Sequence, residues 1–234
     1  SLLRVGESVG SFYGFRRLGV YTTEDFEAGK CEKKQIGRAK RSEEREILGK
    51  GTPDWTGSMI NTLRWKNWDF TLDLQFVAGV QTVQEFYHST YDRFGQTNGL
   101  SNILYDAYNG TNPGSMQQAV YLFNTGHADQ DTQFDSQWVA NGSYLRANLI
   151  QLGYNFDSNQ LKKTPFSSLR VYFNVNNAFC ITSKEFNGYD PESTSQIDNS
   201  SERGTVSAGQ FGQNMTFFSY PRARTFTLGI NVAF

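Results

Sequence analysis

The chain of 234 residues carries a formal charge of −1 and a mean hydropathy of −0.55, so it offers no surplus charge to nucleic acid or other polyanions. No continuous apolar run approaches the roughly 18 residues that a spanning helix needs, which excludes a helical membrane protein. A membrane barrel is not excluded, because its strands need only about 9–11 residues and alternate apolar with polar side chains, which keeps the mean hydropathy low.

Aromatic residues make up 15% of the chain, with 19 Phe, 12 Tyr and 4 Trp beside 22 Gly and 5 Pro. Aromatics suit a pleated, half-buried surface and glycine suits turns and bulges, so the composition leans to all-β. No signal peptide opens the chain at Ser1-Leu2-Leu3-Arg4, so for an exported protein the expectation is that the true N-terminus lies elsewhere. Ser11 to Thr22 reads as a strand interrupted by Arg16 and Arg17. Glu24 to Lys50 mixes charges of both signs without an apolar period and reads as a solvated loop. Asp54 to Lys66 reads as a strand in which Asn61 stands among Trp55, Met59, Leu63 and Trp65.

Trp68 to Val80 is the clearest element. Trp68, Phe70, Leu72, Leu74, Phe76 and Ala78 fall on one face, and Asp69, Thr71, Asp73, Gln75 and Val77 on the other, the period of a strand with one apolar and one largely polar side. Gln84 to Asn109 spaces its aromatics well enough for one or two short helices, which would fix a long loop to its own scaffold. Ile150 to Phe156, Leu169 to Val175 and Phe226 to Phe234 repeat the alternation, and an opposite parity within Leu145 to Leu149 predicts a bulge near Leu149. Lys66-Asn67 is a tight turn and Asp157 to Ser167 a moderate link, whereas Thr23 to Pro53, Thr82 to Asn141 and Ile181 to Pro221 are very long. Brief turns at one end and extended loops at the other are the asymmetry of bacterial outer-membrane barrels. Trp65, Trp68, Tyr154, Phe156 and Phe234 gather at the short-turn end, as an interfacial girdle would.

Nucleotide, zinc-protease and serine-hydrolase motifs are absent from the sequence. Asp69 and Asp73 share a face but stand roughly 13 Å apart along a strand, beyond the roughly 5–9.5 Å of glycosidase carboxylates. The expectation is therefore no enzyme, no cofactor and no metal site: His88 and His127 are the only histidines, and Cys31 and Cys180 lack metal-ligand spacing. The two thiols are open to either a disulfide or no link at all. Four matches to the glycosylation pattern, at Asn109, Asn141, Asn199 and Asn214, are given no role. A soluble carbohydrate-binding β-sandwich would also show alternating faces and loop aromatics, and stands as the alternative.

Several segments resemble, in order, the C-terminal region of SusC/RagA TonB-linked outer-membrane proteins. Gly10-Ser-Phe-Tyr-Gly-Phe-Arg-Arg-Leu-Gly-Val-Tyr is similar to that family's G-x-F-Y-G-Y-x-x-x-G-I-F, and Ile47-Leu-Gly-Lys-Gly-Thr-Pro-Asp-Trp to its I-G-x-x-x-P-D-[FW]. Trp65-Lys-Asn-Trp-Asp-Phe-Thr-Leu resembles Y-K-N-F-D-L-S-x, and Gly142-Ser-Tyr-Leu-Arg resembles D-G-S-Y-L-R. Leu169-Arg-Val-Tyr-Phe-Asn-Val-Asn-Asn-Ala-Phe looks like L-R-V-Y-x-x-x-x-N-L-F, Gly188-Tyr-Asp-Pro-Glu matches outright, and Tyr220-Pro-Arg-Ala-Arg-Thr-Phe looks like Y-P-x-x-R-T-F. Where many relatives carry an acidic D-x-N-G-D-G-x-I loop, Ala39-Lys-Arg-Ser-Glu-Glu-Arg-Glu stands instead, so a calcium site does not carry over.

The resemblance implies an all-β fold: an antiparallel transmembrane β-barrel segment, about six strands of a roughly 22-stranded barrel, with long extracellular loops. Residues 1–234 would be the C-terminal part of the receptor barrel in the bacterial outer membrane, with the plug domain and N-terminal strands absent from this chain. It implies TonB-dependent import of a nutrient, oligosaccharide ahead of peptide, through a SusD-like surface lipoprotein and the TonB complex, with outer-membrane lipid around the barrel. Asp69, Thr71, Asp73, Gln75, Asn174, Asn176, Thr227 and Asn231 are the expected lumen-lining residues, and Phe234 the expected assembly signal.

Overall fold

The computed structural model of the chain describes residues 2–84, 101, 103–117, 119, 133–192, 214–216 and 220–234. Among them run ten strands: β1 (Phe12–Val20), β2 (Ala39–Gly49), β3 (Trp55–Trp65), β4 (Trp68–Ala78), β5 (Gln81–Gln84), β6 (Val139–Asn141), β7 (Tyr144–Asn155), β8 (Ser168–Thr182), β9 (Met215–Thr216) and β10 (Thr225–Ala233). They belong to two compact units, one of Ser1–Thr52, Gln81–Ala140 and Glu192–Ser219, the other of Pro53–Val80, Asn141–Pro191 and Tyr220–Phe234.

In the first unit β1 pairs antiparallel with β2, and β6, β5 and β9 form a small second sheet. Phe12, Val83 and Trp138 are its buried core, with Leu48, Phe134, Val139 and Met215 packed around them. The reading of Glu24 to Lys50 as one solvated loop is corrected here. Thr23–Glu27 is a short helix, and Ala39–Gly49 is a strand despite its charges. The charges are tolerated because they find a partner far along the chain. Arg17 and Arg41 stand directly opposite one another, a costly arrangement for like charges. Both reach Asp135, which is fully buried and accepts from Arg17 Nε at 2.9 Å and Arg41 Nε at 2.7 Å.

Thr22 caps the short helix in a reciprocal pair: its hydroxyl accepts from the Asp25 amide at 3.2 Å, and the Asp25 carboxylate accepts from the Thr22 amide at 3.3 Å. Burial pushes the Asp25 carboxyl up, but the Thr22 amide and the Lys40 ammonium outweigh it and hold the group below its ordinary value. Burial, reinforced by Asp25, pushes the Cys31 thiol up, and Cys31 and Cys180 form no disulfide. Of the helices expected within Gln84 to Asn109, Ile103–Asp106 is present, and most of that segment lies outside the described residues.

The second unit is a five-stranded antiparallel meander in the order β10-β8-β7-β4-β3. Five of the six strands expected from periodicity form it; the sixth, β1, pairs with β2 in the other unit. β3 and β4 zip without interruption from Trp55↔Ala78 to Trp65↔Trp68, across a two-residue turn in which Lys66 takes φ 53°. The expected bulge is present at Asn148: Asp73 faces Leu149 while Leu74 faces Ala147. Alongside it, β8 takes three steps, Asn176 to Phe179, where β7 takes two, and Asn177 sits in the left-handed region at φ 50°. A short polar side chain suits that conformation.

Register fixes which residues share a face, since residues directly opposite in antiparallel strands point the same way. Leu63, Phe70, Leu152, Phe173 and Leu228 form one cross-strand row, and Trp65, Trp68, Tyr154, Val171 and Ile230 another, on a common apolar side. Among the described residues no protein layer covers that side along the strands at the two edges: Leu63 is 65% exposed, Phe226 64% and Leu228 73%.

Candidate functional site

The opposite side of the same sheet is polar. Thr62, Thr71, Gln151, Asn174 and Thr227 make one row, and Arg64, Asp69, Gly153, Tyr172 and Gly229 the next. Asp73 joins Asn176 through Leu149, Gln75 faces Arg146, and Asn231 faces Arg170. All eight residues expected from the sequence thus fall on one face. Asn174 Oδ1 is buried with no hydrogen-bond partner among the described residues, at the middle of the Thr62-to-Thr227 row.

One ion pair crosses this face by spanning a strand. Asp69 on β4 and Arg170 on β8 meet at 2.6 Å with β7 between them, and Asn155 Nδ2 donates to Asp69 at 2.8 Å. The crossing depends on Gly153, because a Cβ there would lie 2.6 Å from Asp69 Oδ2 and 2.7 Å from Arg170 Nη2. Tyr172 likewise lies over Gly229, where a Cβ would come within 2.2 Å of its ring. Small residues at these two positions let large polar side chains lie flat along the sheet instead of projecting from it.

The short-turn end of the sheet carries the expected aromatic cluster. Trp68 packs edge-on against Tyr154 at 4.8 Å, Tyr154 against Phe156 at 4.9 Å, and Phe166 against the terminal Phe234 at 5.5 Å. The Ser167 amide donates to the Ala233 carbonyl at 2.8 Å, which fixes the last strand beside the link into β8.

At the other end of the sheet, a cluster that sequence reading left without a role draws four separated segments together. Arg146, on the polar side of β7, forms a buried ion pair with Asp190 and donates to Asn177 Oδ1 at 2.6 Å. Asp190 also accepts from the Arg222 amide at 3.3 Å, and the Arg222 carbonyl accepts from Asn177 Nδ2 at 2.8 Å. A Cβ on Gly188 would meet the Phe186 ring at 2.6 Å; of the two residues that follow, Tyr189 is exposed and Asp190 is buried. The segments involved are Gly142-Ser-Tyr-Leu-Arg, the Leu169-to-Phe179 stretch that holds Asn177, Gly188-Tyr-Asp-Pro-Glu and Tyr220-Pro-Arg-Ala-Arg, four of those that carry the family resemblance. Their recurrence was the available signal, but single motifs do not say what they touch.

No family model matches the chain. A TonB-dependent receptor of Formosa agariphila, P3, is 30% identical over 250 residues that take in 100% of this chain and 23% of the receptor. The TonB-dependent receptor SusC of Bacteroides thetaiotaomicron is 27% identical over 233 residues, 99% of this chain and 20% of SusC. Among solved structures, the RagAB peptide transporter superposes with a TM-score of 0.67 at 20% identity, covering 96% of this chain and 22% of that one. In its closed-closed state the RagAB peptide importer gives a TM-score of 0.64 over the same share of this chain, 96%.

A two-faced antiparallel sheet that does not close on itself, with neighbours of this kind, defines a segment of a TonB-dependent barrel. Over its whole length the chain is similar to TonB-dependent receptors, SusC among them, and it has the fold of a segment of the RagAB transporter, which supports a C-terminal region of the SusC/RagA family. It spans 20–26% of the length of the curated relatives it matches.

Proposed function

We propose that the chain is the C-terminal barrel portion of an outer-membrane importer, whose plug and remaining strands lie elsewhere in a longer protein. The observation that carries this reading is the uncovered apolar stripe, backed by a polar face on the same five strands. In hydrocarbon every backbone donor and acceptor needs a partner, so a spanning sheet has to close. β3 and β10 each have one paired edge among the described residues, and the other edges would meet the strands of the rest of the barrel. Asp69, Thr71, Asp73, Gln75, Asn174, Asn176, Thr227 and Asn231 would then line the lumen, and Phe234 would serve as the signal for barrel assembly.

The cargo we propose is an oligosaccharide, received from a SusD-like surface lipoprotein and released when the TonB complex acts on the plug. Threonine hydroxyls and asparagine and glutamine amides make up the Thr62-to-Thr227 row of the polar face, neutral donors and acceptors that suit sugar hydroxyls. The solved neighbour is a peptide importer, so peptide is the outcome to test against.

The first experiment is to express the chain alone without detergent. It should aggregate through its apolar face and open edges, whereas a folded, monodisperse monomer would refute the barrel reading in favour of a β-sandwich. The second is growth of a strain lacking the full-length receptor. Loss of growth on an oligosaccharide with growth on peptides intact supports the cargo assignment, and the reverse pattern refutes it.

A further inference from the structure

A cavity of about 310 Å³ opens beside the buried Arg146–Asp190 pair, lined among others by Asn177, Tyr189, Arg222 and Arg224. Its size is near the lower end of the roughly 300–1,000 Å³ of small-molecule pockets, enough for part of a chain rather than a whole cargo. Charge decides what it would hold. Three guanidinium groups line it against one lining carboxylate, Asp190, and that carboxylate is already committed to Arg146 and to the Arg222 amide. Arg222 and Arg224 are exposed, two residues apart on the segment that follows Tyr220, and no carboxylate among the described residues pairs with Arg224. Their planar forks match the oxygen geometry of a carboxylate or sulfate, and a wall of one sign concentrates such ions in its mouth.

The remaining lining sets the class of ligand. Tyr189 is 74% exposed and lines the cavity beside the cations, where its ring is open to a ligand. A flat aromatic surface next to two guanidinium groups suits a ring that carries an anionic substituent. Pro191 and Pro221 bound the cavity on both segments, which limits the ordering needed when a ligand enters.

Resting on the oligosaccharide reading above, we infer that this cavity is a subsite for an oxyanion-bearing sugar residue, a uronate or a sulfate ester, on the imported chain. The Arg146–Asp190–Asn177 cluster is its frame, and Arg222 and Arg224 are the groups that meet the anion.

Titration calorimetry on the full-length receptor in detergent tests this with trigalacturonate, its methyl ester, maltotriose and maltotriose sulfate. Native receptor should bind at least one charged probe about tenfold or more tighter than its neutral counterpart. Which charged probe gains identifies carboxylate or sulfate as the source. The Arg222→Gln/Arg224→Gln double variant should lose that difference and leave neutral probes unchanged; both side chains are exposed, so folding is retained and is checked by the gel shift on heating. Equal binding of charged and neutral probes, or an unchanged preference in the double variant, overturns the subsite while leaving the oligosaccharide importer standing. Binding of tripeptides with no response to any saccharide overturns the cargo reading, and the inference with it.

Discussion

Asp190→Ala should be the most damaging single change on the polar side of the sheet. The carboxylate is 4% exposed and the guanidinium it meets 1%, so neither can turn to solvent when its partner is removed. Breaking such a pair costs about 3–5 kcal/mol, because the surviving charge stays in a poorly hydrated place without its counter-charge. The contact from the Arg222 amide, at 3.3 Å, is lost too but adds little because it is long and partly solvated. Asp190→Asn keeps an acceptor for both neighbours and should cost roughly half as much, near the value of a charge-assisted hydrogen bond. Arg146→Met with Asp190→Leu removes both charges and should recover most of the loss. The assay is urea unfolding of the full-length receptor folded into lipid vesicles, with the native protein, Arg146→Met, Asp190→Leu and the double variant closing a double-mutant cycle. A loss below about 0.5 kcal/mol for Asp190→Ala, or strict additivity of the two single changes, would refute the assignment of this pair as the frame of the cluster.

In the same vesicles, Leu228→Arg in the middle of β10 should cost about 2–4 kcal/mol, whereas Thr227→Arg, one residue away on the other face, should be nearly neutral; equal costs would sink the lipid-facing assignment. Gly153→Val should separate Asp69 from Arg170 and cost about 1–3 kcal/mol, with the change at Gly153 and Asp69→Asn far from additive. Because Asp25 is held below its ordinary value, the stabilisation it gives is complete above the unfolded-state pKa and disappears as pH falls through the lowered one. Protection of the Phe26 and Ala28 amides, both bonded within the capped turn, taken relative to the intrinsic exchange rate at each pH, should therefore fall in acid, and Asp25→Asn should abolish that dependence. Removing Phe234 from the full-length receptor should impair its assembly into the outer membrane, measured as the folded fraction on an unheated gel.

β4 could be read directly because each of its residues has one apolar or polar role and its neighbours repeat the pattern. The bulge was legible for the same reason, as a change of parity within a single stretch. β2 was not, since Arg41 is a reasonable strand residue only beside Asp135, and Asp135 lies 94 positions away. The eight polar-face residues follow from period two, but Arg170 and Gly153 acquire meaning only once register sets them beside Asp69. Arg146, Asp190 and Arg222 fell within segments noted for their likeness to a family, and likeness does not reveal contact. Long-range pairing in a sheet is set by hydrogen-bond register, a property of two strands together that neither carries by itself.

Asn148 has an effect out of proportion to its size. Ile150, Leu152 and Tyr154 set the even-numbered positions of β7 toward the apolar side, and an uninterrupted strand would turn Arg146 the same way. One supernumerary residue inverts the count, so that the guanidinium points inward to Asp190 and the greasy side receives Leu145 and Ala147 instead. Excising Asn148 would therefore turn a cation onto the apolar side of the sheet and a leucine onto its polar side, without altering any other letter of the strand.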